Sequence, residues 1–462
     1  MEISALYQLF LSCSCVTTDS RNCPEDSLFI ALKGESFNGN AFAAKALEAG
    51  CRYAIIDEAT YLPKGDERYV LVNNGLRTLQ LLANYHRRQL QTPVIGITGT
   101  NGKTTTKELI AAVLMQEKQI LYTQGNLNNA IGVPLTLLRL KPEHELAVVE
   151  MGASHPGDIQ ELVEIAEPDF GLITNVGKAH LQGFGSFEGV MRTKGELYDF
   201  LRTRKSSVVF LDHDNPYLKT MVKELPTVEY GKGEENSTEK HTADIQKQEG
   251  HPTPALVEER DQENRLYVEG HLADHSPYLT FAWRRSCEES YRLVKTKLIG
   301  EYNLTNALAA ITIGCYFQIP ADKIDQALTD YTPTNNRSQL MQTTRNTLIV
   351  DAYNANPTSM MAALGNFRRM EAKHKMLILG DMRELGEDSL SEHQKIVEYL
   401  QHFGAERVIL VGSEFGRTQH TFTCYPDVEA TIEALQAEKP EGMTILIKGS
   451  NGIHLNRLLD ML

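Results

Sequence analysis

Short apolar runs alternate with amphipathic stretches along most of the chain, which predicts strands separated by helices. In the middle of the chain, a helical pattern begins at Lys103 and ends at about Glu117. The apolar runs of this part have the length of buried strands: Val94–Thr98, Leu146–Glu150, Phe170–Thr174 and Ser207–Leu211. Strands that alternate with helices predict a mostly parallel sheet covered on both faces.

The N-terminal part has the same pattern on a smaller scale. Ser27–Leu32 and Arg52–Ile56 are predicted strands, and Phe42–Ala49 is the predicted helix between them. Gly50 follows this helix, where a glycine commonly ends the last turn. A polar helix is predicted over Gly75–Leu90.

A third unit of strands and helices completes the chain, after a predicted helix at Leu298–Phe317. Its predicted strands are Thr347–Asp351, Lys375–Gly380, Arg407–Val411 and Thr444–Lys448, and its predicted helices span about 357–371, 389–403, 427–437 and 453–461. The fold class is therefore α/β, with three domains at 1–85, 86–320 and 321–462. Residues 232–265 are polar and carry mixed charge, so we expect a variable, solvated insertion or ragged hairpin at about 232–290.

The composition of the chain argues against several classes of protein. The 60 acidic residues exceed the 46 basic ones, giving a net charge of −14, which argues against a nucleic-acid binder with a broad basic surface. The seven cysteines are scattered and form no Cys-x-x-Cys pair, which argues against a disulfide framework or a zinc site. Apolar runs are too short to span a bilayer and no signal peptide is evident, so we expect a cytoplasmic protein.

A glycine-rich turn between the strand Val94–Thr98 and the following helix is the strongest local signal. Backbone N–H groups of such a turn can bind phosphate oxygens, Lys103 would neutralise β/γ-phosphate charge, and the Thr104 hydroxyl would bind Mg²⁺. The strict phosphate-loop pattern is missed at one position, because Ile97 stands where its first glycine belongs. A helix-capping turn is the alternative. The loop predicts a nucleoside triphosphate and leaves the reaction open.

Several longer motifs resemble the Mur ligase superfamily, and they occur in the family's order. In this sequence they are Thr18–Arg21, Phe29–Gly34, Thr98–Thr104, Gly125–Pro134, Val149–Ala153, Thr174–Leu181, Thr193–Leu197, Gly300–Ala307, Asp351–Pro357, Leu379–Gly386 and Lys448–Ser450. The resemblance implies a uridine-nucleotide domain, a central P-loop NTPase-like domain and a C-terminal Rossmann-like ligase domain.

The resemblance also implies a reaction. ATP phosphorylates a carboxylate, and an amine attacks the acyl phosphate to form an amide, releasing ADP and phosphate. The forms Asn-Leu-Asn-Asn, Tyr-Asn-Ala-Asn-Pro and Gly-Asp-Met-x-Glu-Leu-Gly point to addition of D-alanyl-D-alanine to UDP-N-acetylmuramoyl-tripeptide in peptidoglycan synthesis. We expect a monomer that binds these substrates and no nucleic acid.

Catalytic roles follow from the same likeness. Glu150 ends a strand, where open α/β sheets bind ligands, and would hold Mg²⁺ with Thr104. His180 and a carbamate on Lys194 would complete the ligands of two Mg²⁺ ions, although nitrogen is an unusual partner for Mg²⁺. Lys103, Glu150, His180 and Lys194 are thus the predicted catalytic residues.

Binding residues are predicted at both ends of the substrates. The ATP set is Thr98, Gly99, Thr100, Asn101, Gly102, Lys103, Thr104, Thr105, Asn303 at the adenine, Arg337 at the phosphates, Asp351 at the ribose, and Asn354. The peptide-substrate set is Ser20, Arg21, Lys33, Asn128, Asn129, Tyr353 and Asn356. Many family members have Gly before the matching Arg; Asn336 stands here, and Asn also tolerates a left-handed turn.

Other functions stay open on the sequence alone. One is a Mur ligase that adds the third peptide residue, and a folylpolyglutamate synthetase is a more distant one because it normally lacks the uridine-nucleotide domain. A P-loop ATPase without ligase activity, or a nucleotide-binding pseudoenzyme, would belong to another class. The third residue of the peptide is not specified by any of these motifs.

Overall fold

The computed structural model describes residues 2–233, 266–274, 277–334 and 337–462, whose strands form three sheets. The N-terminal sheet is parallel, with neighbours in chain order: β1 Val16–Thr17, β2 Leu28–Ile30, β3 Tyr53–Ile56 and β4 Tyr69–Leu71. Its helices are α1 Ile3–Leu11, α2 Ala43–Glu48 and α3 Gly75–Leu90. Gly50 follows α2 with a φ of 118°, which agrees with its predicted place at a helix end.

The central sheet carries the glycine-rich turn. Its strands are β5 Val94–Thr98, β6 Ile120–Tyr122, β7 Leu146–Glu150, β8 Phe170–Ile173, β9 Val208–Asp212, β10 Thr227–Lys232, β11 Tyr267–Asp274, β12 Thr280–Arg285 and β13 Arg292–Lys295. They lie in the order β13-β12-β11-β10-β9-β8-β5-β7-β6, parallel except at β12 and β13. The helices are α4 Lys103–Leu114, α5 Gly132–Leu137, α6 Asp158–Ala166, α7 Leu181–Phe184, α8 Phe187–Arg202, α9 Pro216–Val222, α10 Asn303–Tyr316 and α11 Ala321–Asp330.

The C-terminal sheet is parallel except for its first strand. Its strands are β14 Gln339–Gln342, β15 Thr347–Asp351, β16 Lys375–Gly380, β17 Arg407–Val411, β18 Thr423–Tyr425 and β19 Thr444–Lys448, in the order β14-β15-β19-β16-β17-β18. The helices are α12 Pro357–Arg369, α13 Ser389–Gln401, α14 Ser413–Gly416 and α15 Val428–Ala437.

The helix predicted at about 453–461 is present, but it is of the 3₁₀ type. The chain forms 3₁₀ helices there, at Asn451–Ile453 and Leu455–Met461. Leu455 and Leu458 are both buried, and a spacing of three residues suits one face of a 3₁₀ helix as well as one face of an α-helix.

Helix α3 joins the N-terminal and central units into one packed body. Its Leu79 and Leu82 are fully buried in a core that also contains Leu28 of the N-terminal sheet and Val149 of the central sheet. Arg87 of α3 donates to the Ala166 carbonyl at 2.9 Å and to Asp169 Oδ2 at 3.0 Å in the central unit. The predicted domain boundary at residue 85 therefore falls inside a helix that belongs to both cores.

The other end of the central unit also differs from the prediction. Helix α11 buries Ile324 and Leu328 in the core under the central sheet, beyond the predicted boundary at 320. Of the predicted insertion, 234–265 and 275–276 lie outside the described residues. The described part is an ordered hairpin of β11 and β12 that extends the sheet and buries Trp283.

No helix in the described ranges is long and apolar enough to cross a bilayer.

Candidate active site

Strands β7, β5 and β8 lie side by side and end at the same edge of the central sheet. The register pairs Ile97 with Glu150 and Thr98 with Ile173, so the glycine-rich turn leaves the sheet beside Glu150 and Thr174. A cavity of about 590 Å³ opens at this edge, and residues of the C-terminal unit form its opposite wall. Ligands of open α/β sheets bind at such carboxyl-terminal edges.

Two positions of the turn require glycine. Gly99 and Gly102 have φ angles of 140° and 81°, a region that side chains rarely adopt. A Cβ at Gly99 would lie 2.1 Å from Thr174 Oγ1, and one at Gly102 would lie 2.7 Å from Asn306 Oδ1. The turn leads directly into α4, and residues Thr100–Thr105 line the cavity.

Glu150 is a buried carboxylate with one unused oxygen. Its Oε1 accepts from Thr104 Oγ1 at 3.1 Å and from Asn128 Nδ2 at 2.8 Å. Its Oε2 is buried and has no hydrogen-bond partner among the residues that the structure describes. An ionised carboxylate is stable in such a place only when it is paired or binds a cation. The free oxygen beside the Thr104 hydroxyl therefore fits a hard divalent cation.

Two lysines of this site have unusual surroundings: Lys103 lines the cavity, and the buried Lys194 contacts Ala153 of the cavity wall. Burial lowers the pKa of Lys103 to about 8, although Glu150 opposes the shift, and its Nζ donates to the Gly99 carbonyl at 2.7 Å. Lys194 of α8 is 2% exposed, and its Nζ lies 3.5 Å from the Ala153 carbonyl oxygen. Burial first, and then the charge of Lys103, lower the pKa of Lys194 to about 7. A large fraction of this amine is neutral near pH 7.

His180 lies at the boundary of the central and C-terminal units. Its backbone is left-handed, with a φ of 49°, and its Nδ1 lies against the carboxylate of Glu384, from the loop after β16. It also lines the cavity. In the described part of the chain, no three His, Cys, Asp or Glu side chains converge as a preformed metal site. Metal binding here would need oxygens from the substrates.

The C-terminal wall of the cavity contains an ion pair between a buried lysine and an aspartate. Lys448, at the end of β19, donates to Asp351 Oδ2 at 2.6 Å and to the Asn354 carbonyl at 3.2 Å. Arg337 stacks on Tyr353, with its guanidinium carbon 4.0 Å from the ring centroid. Asn336 lies outside the described residues. Arg337, Asp351, Tyr353, Asn354 and Lys448 line the same cavity as the phosphate loop.

The amides at the start of α10 also reach the phosphate loop. Asn303 Nδ2 donates to the Ile299 carbonyl, and Asn303 Oδ1 accepts from Asn306 Nδ2, both at 2.8 Å. Asn306 Oδ1 in turn accepts from Thr106 Oγ1 of α4 at 3.1 Å. This network fixes the loop helix against α10 and places Asn303 in the cavity wall.

Some predicted binding residues contact other parts of the protein. Thr98 is fully buried and donates to the Met151 carbonyl, and Asn129 Oδ1 accepts from the backbone of Ile131 and Gly132 at the start of α5. Asn356 caps α12 by accepting from the Ser359 N–H, and it also pairs with Asn101.

The predicted uridine contacts lie in the N-terminal unit, outside this cavity. Arg21 is exposed and pairs with Asp19 at 2.9 Å, and Lys33 pairs with Glu58 at 3.1 Å and Asp57 at 3.2 Å. Ser20 is half-buried. The structure does not bring these three residues to the phosphate loop.

Sequence reasoning missed several residues of the cavity wall. Lys448 ends an apolar strand, as Glu150 does, and this position was a usable signal. Asn306 is three residues from Asn303 on the same helix face. Tyr302 and Ser338, joined by a 2.5 Å hydrogen bond between their hydroxyls, carried no signal, because their contact bridges two units.

Family models match three consecutive parts of the chain. Residues 12–87 match "Mur ligase family, catalytic domain", residues 97–314 match "Mur ligase middle domain", and residues 336–451 match "Mur ligase, glutamate ligase domain".

Full-length relatives and solved structures extend this result. UDP-N-acetylmuramoyl-tripeptide–D-alanyl-D-alanine ligase of Bacillus subtilis is 33% identical, over 96% of this chain and 92% of the relative. The Escherichia coli enzyme of the same name is 31% identical, over 97% and 93%. MurF from Acinetobacter baumannii superimposes with a TM-score of 0.79 at 27% identity, covering 99% and 97% of the two chains. MurF ligase from Thermotoga maritima in complex with ADP gives 0.79 at 25% identity, covering 98% and 97%. The chain belongs to the Mur ligase family.

Proposed function

We propose that this protein joins D-alanyl-D-alanine to UDP-N-acetylmuramoyl-tripeptide at the expense of ATP, in the synthesis of peptidoglycan precursors. The full-length relatives carry the name of this activity, and one similar structure contains ADP. The observation that carries the proposal is the unpartnered Glu150 Oε2 beside Thr104, at the end of a phosphate loop. Phosphoryl transfer depends on such charge neutralisation and positioning.

Thr104 and Glu150 are the residues that would hold Mg²⁺. When bound, this ion neutralises charge on the phosphates and orients them. Backbone N–H groups of the loop and the Lys103 ammonium would bind the β- and γ-phosphates, which also favours the charged form of a lysine whose pKa is low in the free protein. Asn303, Arg337, Asp351 and Asn354 form the remaining proposed ATP contacts.

Lys194 is proposed to carry a carbamate. Its neutral amine would attack CO₂, forming one N–C bond and releasing one proton, and the product is an anion in place of a cation. The low pKa of Lys194 and its burial beside Lys103 support this step, since a protonated amine cannot attack CO₂. His180 and this carbamate are the groups that would hold a second Mg²⁺, which would neutralise further phosphate charge.

The substrates would approach from two sides. The uridine end would lie on Ser20, Arg21 and Lys33 of the N-terminal unit, and the peptide would run past Asn128 and Asn129 to the cavity. D-alanyl-D-alanine would enter between the central and C-terminal units, near Tyr353. The carboxylate oxygen of the tripeptide attacks the γ-phosphorus, ADP leaves, and the amine of D-alanyl-D-alanine then displaces phosphate from the acyl carbon. Docking of the C-terminal unit excludes water from this intermediate.

A ligation assay tests the proposal. The protein with ATP and Mg²⁺ should form UDP-N-acetylmuramoyl-pentapeptide only when both UDP-N-acetylmuramoyl-tripeptide and D-alanyl-D-alanine are present. Sustained ADP release over many turnovers should require both substrates, because only the amine consumes the acyl phosphate. Turnover instead on UDP-muramoyl-dipeptide with a diamino acid would favour the third-residue ligase. Substrate-independent hydrolysis of ATP would favour a P-loop ATPase.

A further inference from the structure

A reciprocal pair of side-chain amides joins the phosphate loop to the C-terminal unit. Asn356 Nδ2 donates to Asn101 Oδ1 at 2.7 Å, and Asn101 Nδ2 donates to Asn356 Oδ1 at 3.4 Å. Asn101 lies between the two strained glycines of the loop, whereas Asn356 begins α12. The pair therefore connects two units across 255 residues of sequence.

Both partners are held in place on their own side. The Asn101 N–H donates to Asn175 Oδ1 at 3.0 Å, and the Asn101 carbonyl accepts from Thr174 Oγ1 at 2.6 Å and Asn175 Nδ2 at 3.0 Å. Asn356 is 4% exposed and is fixed by a capping box with Ser359. With its backbone groups already bonded, Asn101 has its side chain left for contact across the cleft.

Two other contacts between these units are ion pairs with exposed cations. Lys178 lies 3.5 Å from Glu392, and Arg369 lies 3.2 Å from Glu301, with both cations more than half exposed. Pairs of this kind contribute little and are screened by salt. The amide pair is part-buried and uncharged, so it is directional and its strength does not depend on ionic screening. It also contacts the segment that phosphates would order.

We propose that Asn101 and Asn356 act as positioning residues that couple nucleotide binding in the phosphate loop to docking of the C-terminal unit. Phosphates bound by the loop fix the Asn101 side chain, which receives α12 and brings Tyr353 and Arg337 to the cavity. Coupling of this kind is reciprocal, so loss of the pair weakens nucleotide binding as well as docking. Its effect on ligation rests on the proposed function; its effect on nucleotide binding does not.

A double-mutant cycle of Asn101→Ala and Asn356→Ser tests the coupling. Serine also caps helices, so the second change removes the contact with Asn101 and keeps the start of α12. The affinity for a non-hydrolysable ATP analogue with Mg²⁺, and kcat/KM for D-alanyl-D-alanine, are measured for each variant. Each single change should lower kcat/KM about five- to ten-fold, as for one lost hydrogen bond. Asn356→Ser should also weaken nucleotide binding, although it lies in the other unit.

The double variant decides the question. If the two residues act as a pair, it should be no worse than the poorer single variant; losses that multiply would overturn the proposal. Small-angle scattering with the ATP analogue should show the docked shape for the natural protein and a more extended one for Asn356→Ser. Identical scattering would overturn it too. If Asn356→Ala is impaired and Asn356→Ser is not, helix capping accounts for Asn356 and the coupling is absent. Failure of the natural protein to ligate would instead refute the proposed function, and the nucleotide-binding cycle would still stand.

Discussion

At the scale of single residues, the site depends on charges that are kept out of water. Glu150 has one bonded oxygen and one free oxygen, and the two lysines nearest the loop have lowered pKa values because burial disfavours their ammonium forms. Each arrangement costs stability in the free protein, and a bound anion or cation removes that cost. We therefore expect the residues proposed to carry the chemistry to be ones that destabilise the unliganded fold.

Glu150→Gln should abolish ligation and leave the fold intact. The amide oxygen can still accept from Thr104 and Asn128, but the negative charge proposed to hold Mg²⁺ is lost. We expect a decrease in kcat of about 100-fold or more, by analogy with the loss of one preorganised charge contact. Ligation rate and melting temperature should be measured together. Full activity would contradict the role of Glu150 as a metal ligand.

Lys194→Ala should be inactive and partly rescued by a short carboxylate such as acetate, which can replace the carbamate oxygens. In the natural protein the pKa near 7 means that the amine is mostly neutral at pH 8 and mostly protonated at pH 6. Ligation should therefore decrease as the pH falls through 7, and added bicarbonate should restore part of it. Full activity of Lys194→Ala without any added carboxylate would exclude the carbamate.

Lys194→Met should raise the melting temperature near pH 7 while removing activity. Because the pKa is lowered from 10.5 to about 7 on folding, the unfolded chain binds this proton more tightly. The natural protein thus loses stability as the pH falls from about 10.5 to 7, and methionine, of similar length, removes this loss. The melting temperatures of the natural protein and the variant should be compared at pH 7 and at pH 10. An equal difference between the two proteins at both pH values would show that protonation of Lys194 is not the cause.

At the scale of elements, the glycine-rich turn is shaped by what surrounds it. Gly102→Ala should prevent nucleotide binding, since its Cβ would meet Asn306 Oδ1 at 2.7 Å in addition to the strain of a positive φ. Gly65→Ala is the matched control, because Gly65 has nearly the same φ, 79°, with nothing within 4 Å. Both variants should lose about 1–2 kcal/mol to backbone strain, and calorimetric titration with ATP should separate them. Equal nucleotide affinities would show that the strain alone matters.

Elements with regular patterns were predictable from the sequence. The bounds of α3, β5, β7, β15, β16, β17 and β19 match the prediction, because long amphipathic or fully apolar segments leave little ambiguity. Two- and three-residue strands such as β1 and β18 were missed, since segments so short carry no period. The helix predicted at the C-terminus is of the 3₁₀ type, which the sequence could not specify because its leucine spacing suits a 3₁₀ helix as well as an α-helix.

For the site, the sequence indicated the residues near the loop and missed the contacts that join distant segments. Glu150 and Thr104 could be placed from strand ends and the turn. The pairs of Lys448 with Asp351, and of Asn101 with Asn356, depend on how two units dock, which local patterns do not encode. The uridine contacts and the roles of His180 and Lys194 rested on family likeness and stay predictions.

At the scale of the whole molecule, the units differ in how they are joined. The N-terminal and central units share one hydrophobic core through α3, whereas the C-terminal sheet has its own cores on its two faces. We expect calorimetry to resolve two transitions, one for the joined units and one for the C-terminal unit. Leu82→Ala in α3 should lower the free energy of unfolding in the first transition, and Leu364→Ala in α12 should lower it in the second. We expect a loss of about 2–5 kcal/mol in each case. A single transition shifted equally by both would contradict this division.

The shared core has a consequence for substrate length. Because α3 holds the N-terminal unit rigidly against the central sheet, the distance from the uridine contacts to the phosphate loop is set by the fold. If the proposed function is correct, this fixed distance determines which length of substrate peptide can reach the γ-phosphate. A peptide one residue shorter would leave its carboxylate about 3.5 Å short of the γ-phosphate, a gap that movement of the C-terminal unit cannot close. Selection of a tripeptide would thus depend on the packing of α3 against the central unit.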